Sequence, residues 1–325
     1  MRGGIRAVAL FALCAAAACA RKTVAIENRY SRGDELSYRL VTRSAGTTST
    51  AGLPGAEAKT ETPVKMEMEL RYKTFVKDVD ARGTAEIETG FERFASLSES
   101  GGFAVRIEAD GKGARVIHGE TVSRDSPGLD ELKAFFAKPM AFTVDKRGKT
   151  LSPARAGAGG GILPQMDLNN ALQQGQFILP EGPIAVGGSW SDERSAALAG
   201  SMAVGAPGAG RVGIRTRYTL ARLVNRGGRT CAEIALRGEL DMKDVAVNPA
   251  GAAAQGVGLK TVFDRLKQTD TGTIFFDIQR GRLMEMHVDT LQEISMTMEI
   301  PDAGAGRKLV SATKLKTSSD LKLVE

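Results

Sequence analysis

From Val64 onward the chain alternates. Even positions hold Val64, Met66, Met68, Leu70, Tyr72, Thr74 and Val76, while odd positions hold Lys65, Glu67, Glu69, Arg71, Lys73 and Lys77. A period of two places each set on one face of an extended strand, so the segment predicts a strand with one buried and one charged face. Asp78-Val79-Asp80-Ala81-Arg82-Gly83 supplies turn residues, and Thr84 to Phe94 returns with Ala85, Ile87 and Phe91 on one side, completing a hairpin. A second hairpin is built the same way. Val212, Ile214, Thr216, Tyr218 and Leu220 alternate against Arg211, Arg215 and Arg217, Asn225-Arg226-Gly227-Gly228 turns, and Ala232-Glu233-Ile234 lies on the return. Long strands are predicted again over Leu283 to Ile300 and Lys308 to Val324, about a turn at Pro301-Asp302-Ala303-Gly304.

Four elements recur in the same order. Gly33-Asp34-Glu35-Leu36-Ser37-Tyr38 corresponds to Gly187-Gly188-Ser189-Trp190, Arg71-Tyr72 to Arg217-Tyr218, and Ala85-Glu86-Ile87 to Ala232-Glu233-Ile234. Phe142-Thr143-Val144-Asp145 leading to Gly148 corresponds to Phe275-Phe276-Asp277 leading to Gly281. The order reads as a degenerate internal duplication, with chance likeness between two hairpins as the alternative. A short helix is predicted after Ser126-Pro127, with Leu129, Leu132, Phe135 and Phe136 on one face, and a second from about Gln165 to Gln174. The glycine- and alanine-rich stretches 154–161, 199–210 and 249–258 predict loops, as does Ser44 to Pro63. The fold class expected is mainly β: a large antiparallel curved sheet, sandwich or open barrel with one or two short helices. The segments are 1–18 as signal peptide, 19–29 as anchor and tether, 30–153 as a first β-rich half, 154–178 as glycine-rich loop and short helix, and 179–325 as a second half.

The first twenty residues concern address. Arg2 and Arg6 precede an apolar run from Ala7 to Ala18 that is too short to span a bilayer, and small residues lead to Cys19. This start resembles a bacterial lipoprotein signal, in which the cysteine is acylated and becomes the first residue. Ala16 stands where the pattern prefers leucine, and cleavage after Ala20 is the alternative, giving a soluble periplasmic or secreted chain. An acylated Cys19 would tether the body to a membrane, each buried methylene contributing about 0.8 kcal/mol. Ala20, Arg21 and Lys22 carry no acid after the anchor, which points to the outer membrane of a bacterial cell envelope.

Of 325 residues with formal charge +6, loss of Arg2 and Arg6 with the signal leaves a mild basic excess dispersed among many acids. That does not read as nucleic-acid binding. With Cys19 acylated, Cys231 has no internal disulfide partner and reads as a packed strand thiol. Met66-Glu67-Met68-Glu69-Leu70 leading to Val79-Asp80-Ala81-Arg82-Gly83, Leu179-Pro180-Glu181-Gly182-Pro183-Ile184-Ala185-Val186-Gly187-Gly188-Ser189-Trp190, Thr273-Ile274-Phe275-Phe276-Asp277 and the Leu321-Lys322-Leu323-Val324 ending together resemble a family of bacterial envelope proteins of unknown function. That resemblance implies a β-rich envelope lipoprotein and carries over no activity or site residues.

Motifs for nucleotide, dinucleotide, zinc or serine-hydrolase chemistry do not occur. His118 and His287 are the only histidines, and His287 sits on the polar parity of its strand, facing solvent. Asp145 and Asp277 read as turn carboxylates bonding their own backbone. Met66 with Met68, Met284 with Met286, and Met296 with Met298 put paired thioethers on one strand face, suited to core filling, to lining an acyl-chain pocket, or to Cu(I) if three sulfurs converge. Arg211, Arg215, Arg217, Arg222, Arg226 and Arg229 make the second hairpin basic, either for anionic lipid headgroups or for cross-strand pairing with Glu233, Glu239 and Asp241. The function expected is a non-catalytic, membrane-anchored binding or scaffolding module without cofactor, its ligand an apolar molecule such as a lipid. The alternatives are a Cu(I)-binding protein and a hydrolase, the latter requiring His118 or His287 beside a carboxylate.

Overall fold

A computed structural model describes residues 23–52, 60–125, 129–152, 177–197, 211–247, 260–300 and 307–324. Its strands are β1 (Thr23–Val24), β2 (Glu35–Ala51), β3 (Thr60–Val79), β4 (Ala85–Ser100), β5 (Phe103–Asp110), β6 (Gly113–His118), β7 (Thr121–Ser123), β8 (Met140–Val144), β9 (Thr150–Ser152), β10 (Ile184–Ala185), β11 (Ser189–Ala197), β12 (Arg211–Arg226), β13 (Arg229–Val247), β14 (Lys260–Asp277), β15 (Arg282–Ile300) and β16 (Arg307–Val324). One helix, α1 (Leu129–Ala137), lies between β7 and β8. Apart from the small β1–β10 pair, the strands form one 14-stranded antiparallel sheet in the order β11-β12-β13-β14-β15-β16-β2-β3-β4-β5-β6-β7. β8 pairs with the first half of β4 and carries β9. The antiparallel, mainly β architecture is therefore as expected, and the sheet stays open rather than closing into a barrel.

Alternation along each strand becomes a belt across the sheet. Leu220, Ile234, Ile274, Met286, Leu321, Leu40, Leu70, Phe94, Ala109 and Ala114 are successive cross-strand partners, and none exceeds 8 % exposure. Each large aliphatic or aromatic member contributes about 1.5–3 kcal/mol by leaving water. Register is fixed with it, because a one-residue slip would turn the whole row outward. In β4 a bulge at Glu92 resets the parity, so that both Phe91 and Phe94 point inward. Beyond the belt, β3 and β13–β16 run ten to fourteen residues further, about 35–45 Å at strand rise.

The sheet curls. Lys146 follows β8 and Gly281 joins β14 to β15, six strand spacings or about 29 Å apart on a flat sheet. Yet consecutive amides bond both: Asn28 N–H reaches the Lys146 carbonyl at 2.8 Å and Arg29 N–H the Gly281 carbonyl at 3.2 Å. A second strap closes the seam toward β11. Leu179 and Arg147 exchange backbone and side-chain hydrogen bonds of 2.9 and 3.0 Å, and Trp190 Nε1–H donates to the Ile178 carbonyl at 2.7 Å. Ile26, Phe177 and Leu179 enter the same core as the belt. Outward, the sheet presents Arg39, Glu69, Arg71, Lys314 and Lys322, the reverse of the apolar outer band of a membrane-spanning barrel. No helix among the described residues is long and apolar enough to cross a membrane.

The recurrent sequence elements occupy matching places in β2-β3-β4-β8 and β11-β12-β13-β14. Tyr38 stacks on its cross-strand partner Tyr72 and Trp190 on Tyr218, each pair at 5.4 Å. Gly33 N–H donates to the Val76 carbonyl as Gly187 N–H does to that of Leu220, and both glycines hold positive φ. Ala85 faces Val144 just before Asp145, as Ala232 faces Phe276 just before Asp277.

One expectation fails. Ser44 to Ala51 is the continuation of β2, and β3 already begins at Thr60, where the composition had predicted a loop. Its threonines and serines make cross-strand hydroxyl bonds, Ser44 to Thr317 at 2.8 Å and Thr48 to Thr313 at 3.1 Å, while Gly46 lets the Lys314 carbonyl approach closer than any Cβ would permit. In α1, Leu129 and Leu132 are buried and Phe136 meets the Phe91 ring at 6.1 Å. The Ser126-Pro127 start, the helix near 165–174, the glycine-rich stretches 154–161, 199–210 and 249–258, the turn at 301–304 and Cys19 lie outside the described residues.

Candidate functional site

The three methionine pairs occupy separate places. Met66 and Met68 lie on the inner face of β3, Met286 sits in the belt, and Met296 packs with Phe263. Met284 is bulged out of register, and its sulfur accepts a hydrogen bond from Arg229 Nη1 at 3.6 Å. Met286 and Met296 are ten residues apart on β15, about 33 Å by strand rise, so the pairs do not bring three thioethers together.

Asp145 and Asp277 behave as turn residues. Asp145 Oδ1 accepts the Arg147 and Lys149 amides at 2.9 and 2.8 Å, and Asp277 Oδ1 accepts those of Gln279 and Arg280, both at 2.9 Å. Cys231 is buried opposite Asp277, and burial, then that carboxylate, pushes its thiol upward, away from the reactive thiolate. The basic hairpin is largely matched: Arg222 pairs with Glu233 at 2.8 Å, and Arg226 reaches Glu285 at 2.7 Å and stacks on Phe275. Glu239 and Asp241 pair elsewhere, with Arg237 and Arg265. Among the described residues, Arg217 reaches only the Ser189 hydroxyl, at 3.5 Å.

His118, near one edge of the sheet, stacks against Phe103 at 6.4 Å and stands six strands from β15. His287 is different. It lies on the outward parity as expected, with 43 % of its side chain exposed, but two carboxylates hold it: Nδ1 is 2.8 Å from Asp320 across on β16, and Nε2 is 3.2 Å from Asp289 on its own strand. The bond to Asp320, with support from Asp289, raises its pKa above the ordinary histidine value despite partial burial. A histidine–carboxylate pairing of the kind a hydrolase would need thus exists, with both ring nitrogens engaged by carboxylates.

Beside this cluster the outward face dips into a depression of about 590 Å³ over β14, β15, β16, β2 and β3. Arg43, Lys65 and Lys316 line it together with Asp289, Glu67 and Leu291. Sequence reasoning missed this constellation. Each residue is one more charged position in an alternating strand, and only the β15–β16–β2–β3 register assembles them.

No family model and no curated protein matches the chain. Among solved structures, one titled for lipid–protein interactions in lipovitellin is similar at a TM-score of 0.42 and 11 % identity, covering 91 % of this chain and 26 % of that one. The chain thus spans about a quarter of the lipovitellin chain it matches. OpdQ of Pseudomonas aeruginosa is similar at a TM-score of 0.20 and 8 % identity, covering 90 % of this chain and 99 % of that one. At these scores neither likeness bears on what this chain does.

Proposed function

We propose that this protein is a non-catalytic, membrane-anchored envelope lipoprotein that binds an amphipathic, lipid-like ligand on the inner face of its curled sheet. One observation carries the reading. Past the belt, which is filled by its own side chains, the inner face continues as partly exposed Met66, Met68, Val64 and Leu315 interleaved with Ser44, Thr317, Gln268 and Gln292. Such a wall offers methylene contacts and hydroxyl or amide bonds side by side, which suits a chain with an apolar tail and a polar head. The enclosed apolar pocket expected of a lipid carrier therefore gives way to an open surface. Cys19 supplies the anchor at the outer membrane, and the segment up to about residue 29 the tether.

Organic extraction of the full chain purified from its native membrane, followed by mass spectrometry, should yield a stoichiometric lipid. Metabolic labelling with an alkynyl fatty acid should be lost on Cys19→Ser. A protein that is unlabelled and lipid-free would end the proposal.

A further inference from the structure

Charge matching on the outward face thins around the depression. On β16, β2 and β3, Lys308, Lys314, Lys322, Arg39, Lys73 and Lys77 each reach a carboxylate within 3.1, 3.2, 3.0, 2.7, 3.0 and 2.5 Å respectively. The three cations around the depression are held more loosely or not at all. Arg43 comes no nearer than 4.0 Å to Asp320, and Lys65 and Lys316 have no carboxylate within ion-pair distance among the described residues. Acidic groups are close by, so their failure to pair needs a cause. His287 accounts for two of them by engaging Asp320 and Asp289 at once, while Glu67 makes no ion pair with any of the three cations.

Register sets the geometry of what remains. Lys316, Ala45 and Lys65 are successive cross-strand partners, so the two lysines flank a side chain too small to separate them, about 10 Å apart at the backbone. Arg43 stands two residues along the same face, with Glu67 directly across from it on β3. Three donors of positive charge in one depression match the oxygens of a phosphoryl group, for which a guanidinium and two ammonium groups are the usual partners. Leu291, 46 % exposed on the depression's wall, adds an apolar contact beside them.

We infer that this depression binds the phosphoryl headgroup of an anionic phospholipid, with Arg43, Lys65 and Lys316 as its ligands. The inference stands apart from the inner-face reading: it uses the opposite face of the sheet and survives if that reading fails. Titration calorimetry of the full chain with short-chain, water-soluble phosphatidylglycerol tests it, with short-chain phosphatidylcholine and inorganic phosphate as parallel titrants. Phosphatidylglycerol should bind, and the Lys65→Gln/Lys316→Gln double variant should weaken it by about tenfold or more. A Lys308→Gln/Lys314→Gln control, removing paired lysines from the same face, should change it by less than about twofold. Unchanged melting temperatures would show that all forms fold, since the altered side chains are exposed. Equal weakening in the control, no weakening in the test variant, equal binding of phosphatidylcholine, or equal binding of inorganic phosphate would each overturn the assignment.

Discussion

Leu321 is 2 % exposed at the middle of the ten-residue belt, between Met286 and Leu40, and it tests whether the belt holds the sheet as one unit. Leu321→Ala removes three carbon atoms from a site closed by neighbouring strands on both sides, where collapse is limited. A cost of about 3 kcal/mol follows from the loss of transfer free energy plus the residual cavity. For a domain of this length that lowers the melting temperature by roughly 5–10 °C. The next residue, Lys322, points outward and is 59 % exposed, so Lys322→Ala should cost less than about 0.5 kcal/mol despite its contact with Glu285. Circular dichroism follows the whole sheet, while Trp190, the sole tryptophan, reports the seam at β11, five strands from β16. If the belt is continuous, both signals should shift together in Leu321→Ala. Separate transitions, or equal losses from Leu321→Ala and Lys322→Ala, would refute the alternation of faces and the cooperativity drawn from it.

Trp190→Phe keeps the stack on Tyr218 but leaves the Ile178 carbonyl without its 2.7 Å donor, so melting should reveal a loss of about 1–3 kcal/mol; an unchanged melting curve would mean that the strap does not secure the seam. Gly46→Val drives a branched side chain into the Lys314 carbonyl of β16, at an expected cost of about 1–3 kcal/mol, with faster amide exchange confined to that end of β2 and β16; unaltered exchange there would contradict the close approach. His287 faces Asp289 on its own strand and Asp320 on β16, with Lys322 two residues beyond and uncharged Thr273 opposite on β14. Its pKa is raised on folding, so its stabilisation is complete below the unfolded value near 6.5 and fades as pH rises through the folded value. Comparison of wild type with His287→Gln should therefore show a gap, under about 1 kcal/mol for so exposed a pair, that closes with rising pH; a gap that widens would reverse the assignment.

What the sequence made legible was whatever lay within one strand or one turn. Alternation from Val64 to Val76 announces β3 because both faces are written in consecutive residues, and Asp145 and Asp277 announce their turns because their hydrogen-bond partners lie two to four residues away. Ser44 to Ala51 was illegible for the complementary reason: short hydroxyl side chains carry no hydrophobic period, and their partners Thr313 and Thr317 lie more than 260 residues away. The same distance hid the depression. Asp320 reads as an ordinary charge until β16 is set beside β15, and only then does His287 capture it, leaving Arg43 at 4.0 Å from it beside Lys65 and Lys316, which pair with no carboxylate among the described residues. A belt must be apolar in every strand it crosses, so the sequence has to repeat that information locally. A recognition site needs each residue only once, and its information resides in the register. In a sheet whose last strand pairs with its second, that register is long-range, and the belt that fixes it also determines which outward charges meet.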